Sequence, residues 1–166
     1  MTNGREAGTD AAARAREAAL RLLSVRARSR RELELRLARK SYDETTVSAV
    51  LDDLEAVGLI DDRSFAKAWA DERARLRPVG PARLRHELLR KGVARDLVEE
   101  TIDETYTGET ELALARAAAD RKTRGRGLTT KERARLMRFL LGRGFSREVA
   151  NTVVHELPEA EEEPTA

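Results

Sequence analysis

The sequence predicts an all-α protein: three tandem three-helix, helix-turn-helix-like repeats forming an elongated array that can curve. Three observations carry this expectation. First, apolar residues recur at helical spacing along most of the 166 residues. Second, charge alternates in blocks. Residues 11–40 hold 10 basic and 3 acidic side chains, and residues 41–62 hold 0 and 7. Residues 63–95 hold 10 and 3, and residues 96–111 hold 0 and 7. Residues 112–147 hold 11 and 2, and residues 148–166 hold 0 and 6. A net charge of only +2 conceals this pattern, which an internal repeat produces naturally. Third, the chain aligns with itself when Lys40 is set against Lys91 and Arg143, at offsets of 51 and 52. Leu33 then meets Leu84 and Leu136, and Leu37 meets Leu88 and Leu140. Tyr42 meets Val93 and Phe145, Val47 meets Val98 and Ala150, and Leu51 meets Ile102 and Val154. Apolar character survives at each position.

The elements follow in order. Residues 1–10 are polar and are expected to form a disordered N-terminal tail. The first repeat spans 11–60. Ala15, Ala18, Ala19, Leu22 and Val25 mark its first helix. Ser29 with Glu32 has the capping-box pattern and opens a second helix with Leu33 and Leu37 as its stripe. Val47, Val50, Leu51 and Leu54 give the third its apolar face. The second repeat spans 61–107 and the third 108–157. The third opens on an Ala-rich helix around Leu112 to Ala119 and continues into a long basic loop, Asp120 to Thr129. Thr129 with Glu132 repeats the capping-box pattern. Residues 158–166 are acidic, lack a core pattern and are expected to be disordered.

The stretch from Asp61 to Val93 is the most informative. Asp61 is placed to cap a helix, with Ile60 and Phe65 at the positions of a hydrophobic staple. Phe65 and Trp69 share a face and are expected to be core rather than a base-stacking platform. Pro78 and Gly80 stop this helix, Pro81 opens the next, and Gly92 ends it. Asp61-Asp62, Phe65-Ala66, Trp69, Arg73, Gly80-Pro81-Ala82-Arg83-Leu84, Glu87-Leu88 and Lys91-Gly92-Val93 resemble the central repeat of the RecX family. The run from Arg138 to Phe145 resembles that family's third-repeat turn. The resemblance covers roughly residues 12–157 by the repeat logic. It implies a bacterial, cytoplasmic, non-enzymatic modulator of the RecA recombinase. Such a protein binds in the groove of the RecA filament on single-stranded DNA. It inhibits strand exchange, ATP hydrolysis and co-protease activity, and so touches recombination, DNA repair and the SOS response.

Side-chain chemistry agrees with a binding protein. Arginine outnumbers lysine 27 to 5, which favours bidentate contacts to phosphate or carboxylate. Helical faces point to Arg73, Arg77, Arg83, Arg90 and Lys91 as a central partner-facing set. Arg121, Lys122, Arg124 and Arg126 form a second, denser group in a Gly-containing loop. The competing reading is that these arginines pair internally with the acidic third helices. No catalytic residue, metal site or cofactor is expected. His86 and His155 are lone, Asp52-Asp53 and Asp61-Asp62 read as structural, and no GxxxxGK[ST] stretch occurs. There is no cysteine, no apolar run near the ~20 residues of a membrane span, and no apolar core of a secretory signal near the N-terminus. A monomer that avoids membranes and binds single-stranded DNA weakly and without sequence preference is expected. A nonspecific helix-turn-helix-like DNA-binding protein is the alternative. Fine sequence readout is disfavoured, because glutamine is absent and Asn3 and Asn151 are the only asparagines.

Overall fold

The computed structural model describes residues 3–160, with side chains from residue 9 onward. Among the described residues the chain forms nine α-helices and no strand. They are α1 (Asn3–Val25), α2 (Arg30–Ala38), α3 (Glu44–Ala56), α4 (Asp62–Leu76) and α5 (Pro81–Arg90). They continue as α6 (Arg95–Thr105), α7 (Gly108–Thr123), α8 (Thr130–Gly142) and α9 (Arg147–Glu156).

Local chemistry sets most of the starts. The side chains of Ser29, Asp43, Thr107, Thr129 and Ser146 each accept a backbone N–H in the first turn of the helix that follows. Asp61 does the same for α4, accepting from the N–H groups of Arg63 at 2.9 Å and Ser64 at 3.1 Å. At α8 the capping box is complete, with Glu132 accepting in return from the Thr129 N–H at 3.0 Å. At α2 only the serine half forms, because the Glu32 carboxylate is drawn to Arg26 and Lys91.

Burial follows the repeat register. Leu33, Leu84, Leu136, Leu37, Leu88, Leu140, Val47, Val98, Ala150, Leu51, Ile102 and Val154 are all buried. Val93 and Phe145 are buried too, and Tyr42 is half-buried against the first core. Equivalent positions therefore do equivalent work, each stripe excluding water from a thin helical layer. The described residues divide into two compact units. One comprises the residues up to Lys67 with Leu88–Leu97, and the other Ala68–Glu87 with the residues from Val98 onward. The middle three-helix set thus contributes to both. The first unit packs α1, α2 and α3 around Ala15, Leu33, Leu37, Leu51 and Leu54. The second contains the α7–α9 core of Ala115, Ala119, Leu136, Leu140 and Val153.

Three segments differ from expectation. The stretch 3–10, expected to be disordered, continues α1 toward the N-terminus. Extending an existing helix requires no new nucleus, and Asp10 pairs with Arg14 one turn on. Arg121 and Lys122, expected in a loop, form the last turn of α7, where their charge complements the helix dipole. The start of the acidic tail is held rather than free. The Leu128 N–H donates to the Pro158 carbonyl at 3.0 Å, and the Ala160 N–H donates to the Leu128 carbonyl at 3.3 Å. The remainder of that expected tail, residues 161–166, lies outside the described residues.

Candidate partner and nucleic-acid interface

The basic face of the second unit begins where α4 ends. Arg73 lies in its last turn, Arg77 directly follows its last residue, Leu76, and Pro78 keeps it from continuing. The freed carbonyls of that end need donors. Arg121 supplies them from α7, donating to the carbonyls of Leu76 at 2.7 Å and Arg75 at 3.0 Å. The following turn, residues 78–80, lies against the turn after α8. The Gly80 N–H donates to the Arg143 carbonyl at 2.9 Å, and the Ala82 N–H to the Gly144 carbonyl at 3.3 Å. A Cβ on Gly80 would lie 2.2 Å from the Gly144 carbonyl oxygen. A Cβ on Gly144, whose φ is +85°, would lie 2.4 Å from the Arg83 nitrogen. Only glycine permits this approach, and the approach brings Arg143 beside Arg77 and Arg83.

Glu87 organises the cluster. Its carboxylate accepts from Arg73 Nε at 2.6 Å, Arg83 Nε at 3.1 Å and Trp69 Nε1 at 3.1 Å. The Arg73 guanidinium also stacks 4.4 Å from the Trp69 ring centre. Burial pushes the Glu87 carboxyl up, but the Arg73 and Trp69 hydrogen bonds and the Arg73 charge hold it below the usual carboxylate range. Burial lowers the Arg143 guanidinium, and the like charges of Arg83, Arg77 and Arg73 lower it further. Four guanidinium groups and one carboxylate thus line a surface hollow of about 150 Å³. Uncompensated positive charge in a concave site attracts anions.

A second hollow of about 280 Å³ adjoins it, and Arg77 and Arg143 line both. Leu76, Pro78, Ala118 and Phe139 give it an apolar lining, and Arg121 and Lys122 add to its basic one. Arg143 lies 5.0 Å and Lys122 5.5 Å from the Phe139 ring centre. Leu76 is 54% exposed, an unusual apolar surface among cations.

The residues expected at the interface separate into groups. Arg73, Arg77 and Arg83 come together, and Arg121 and Lys122 stand beside them across the second hollow. Arg124 is exposed and caps α7 in a left-handed conformation, while Arg126 pairs with Glu132 at 2.8 Å. Arg90 is exposed at the end of α5, in the first unit. Lys91 is half-buried there and spent internally, 3.0 Å from Glu32 and 5.6 Å from the Phe65 ring centre. Phe65 is buried as core, whereas Trp69 is only half-buried and serves Glu87. Helical faces alone do not single out Arg143 and Phe139. The repeat register carries a signal for Arg143, since it sets that residue against Lys91. Internal pairing with the acidic third helices also occurs, in Arg30 with Asp52 and Glu55, Arg85 with Glu99, and Arg116 with Glu156. Among the described residues no group of three or more His, Asp or Glu is placed to hold a metal ion. No helix among them is long and apolar enough to cross a membrane.

Helices in tandem sets of three, with an arginine-lined hollow in the second unit, define an all-α helical-repeat protein. Comparison with known proteins places it within that class. Models of the first, second and third three-helix domains of RecX match residues 15–54, 61–102 and 109–154. The chain is 36% identical to the regulatory protein RecX of Thermobifida fusca over 95% of its own length and 86% of that protein. It is 40% identical to a regulatory protein RecX of Thermus thermophilus, covering 80% of this chain and 84% of that one. The crystal structure of RecX from Lactobacillus salivarius superposes with a TM-score of 0.77 at 23% identity, covering 90% of this chain and 97% of that one, a likeness of fold. The chain belongs to the RecX family of regulatory proteins.

Proposed function

We propose that this protein is a cytoplasmic, non-enzymatic regulator that binds the RecA filament on single-stranded DNA. It inhibits recombinase, ATPase and co-protease activities, and so modulates recombination, DNA repair and the SOS response. The observation that carries the reading, beside family membership, is the cluster of Arg73, Arg77, Arg83 and Arg143 around the single carboxylate of Glu87. Charge at intervals on a helical scaffold suits a polyanionic or acidic partner, and several modest contacts together give avidity. A nonspecific DNA-binding protein acting without RecA is the second reading, favoured by the same cationic face.

The test is the single-stranded-DNA-dependent ATPase of the cognate RecA, with this protein titrated in. Inhibition at substoichiometric ratio is the expected result, and the Arg77/Arg83→Ala double variant should need at least about tenfold more protein for the same effect, since two charge-assisted contacts are lost. An unchanged ATPase at excess protein and low salt would reject RecA regulation and leave the free DNA-binding reading.

A further inference from the structure

We propose that the two adjoining hollows of the second unit form one site for a single nucleotide unit of single-stranded nucleic acid. The phosphodiester is held by Arg77, Arg83 and Arg143. The attached base enters the apolar hollow between Leu76 and Phe139, against the Arg143 guanidinium. The inference deepens the reading above and rests on it, in that it assigns the same cationic face to nucleic acid.

The two hollows share Arg77 and Arg143, so the anion site and the apolar site are contiguous. A purely acidic segment would use the guanidinium groups and leave the apolar lining idle. A nucleotide uses both, because its phosphate is an anion and its base presents a π-face. Arg143 is the hinge of the assignment. It already lies 5.0 Å from the Phe139 ring centre, and a flat guanidinium backed by an aromatic ring is a platform on which a base stacks. The volume of about 280 Å³ sits at the low end of small-molecule sites and suits one ring system. Single strands are favoured over duplex, whose base faces are occupied by their neighbours. The lining contains no Asn or Gln amide, so it does not single out adenine.

Fluorescence anisotropy with a labelled oligothymidylate, and with an abasic strand of equal length, tests the site without RecA. Wild type should bind oligothymidylate about tenfold more tightly than the abasic strand, the scale of one base–platform contact. Arg143→Lys keeps the charge and loses the platform, so it should shrink that preference to about twofold. Leu76→Ser, at an exposed position where folding is not at risk, should shrink it as well. Arg77→Ala should weaken both strands alike. Equal affinity of wild type for the two strands, or an undiminished preference in both Arg143→Lys and Leu76→Ser, overturns the proposal. Displacement by polyglutamate as readily as by the abasic strand, with no base preference, also overturns it and assigns the face to an acidic protein partner. RecA inhibition without base preference rejects this site alone. Base preference without RecA inhibition rejects the regulatory reading alone.

Discussion

At the scale of residues, Glu87 shows how a carboxylate inside a cationic cluster serves stability. It neutralises part of the repulsion among Arg73, Arg83 and Arg143 and orients Trp69. Its folded-state pKa is depressed despite burial, so its contribution is fully present above the ordinary glutamate value of about 4.3. That contribution is lost as pH falls through the lower folded-state value. Glu87→Gln keeps the shape and removes the charge. It should cost about 1–3 kcal/mol at pH 7, as expected for a half-buried, charge-assisted network. The deficit relative to wild type should narrow steadily below pH 4.3. Urea unfolding followed by the fluorescence of Trp69, the single tryptophan, measures both. A deficit of the same size at pH 7 and at pH 3 would mean that the charge of Glu87 is not what stabilises the cluster.

At the scale of elements, the cluster depends on two turns meeting backbone to backbone. Gly144→Ala combines a positive φ with a Cβ 2.4 Å from the Arg83 backbone nitrogen and 2.6 Å from its Cβ, neither of them a flexible side-chain tip. It should destabilise by about 2–4 kcal/mol, lowering Tm by roughly 5–15 °C. Gly142→Ala is the internal control. It lies at the end of α8 with open space around it, and should gain up to about 0.5–1 kcal/mol. Thermal melts of the two variants shifting in the same direction would contradict this account of the turn contact. The turn contact also marks what the sequence could reveal. Helix starts at Ser29, Asp61 and Thr129 were legible because a cap is a local interaction between a side chain and its own next turn. The core was legible because apolar spacing survives at equivalent positions of the three repeats. Helix ends were less so. α7 runs past its expected limit because no glycine or proline intervenes in 120–124, and α1 extends toward the N-terminus through Gly4 and Gly8, which breaker residues alone do not reveal. Helical faces found Arg73, Arg77 and Arg83 but also offered Lys91, whose burial depends on Glu32 of another helix. Arg143 joins the cluster through the contact between turns distant in sequence, which periodicity alone does not encode.

At the scale of the whole molecule, a net charge of +2 says little about how the protein meets a polyanion, because the charge is segregated. Part of the alternation is consumed by folding. Arg30, Arg85 and Arg116 each pair with the acidic third helix of their own repeat. Of the rest, Arg77, Arg83, Arg143 and Lys122 line two adjoining hollows. Polyanion affinity responds to the number of phosphates neutralised locally, not to the sum over the chain. If the phosphodiester held by Arg77, Arg83 and Arg143 and a neighbouring phosphate met by Lys122 are both neutralised, the slope of log affinity against log salt is about −1.4, and binding weakens roughly sevenfold between 50 and 200 mM salt. Two variants that change net charge equally separate the local from the global view. Arg77→Ala removes one of the three cations on that phosphodiester and should flatten the slope, by up to about 0.7. Arg85→Ala removes a charge already matched by Glu99, should cost less than about 1 kcal/mol of stability, and should leave the slope unchanged. Equal flattening by both variants would mean that the molecule attracts its partner through overall charge, and that the cluster around Glu87 has no special part in it.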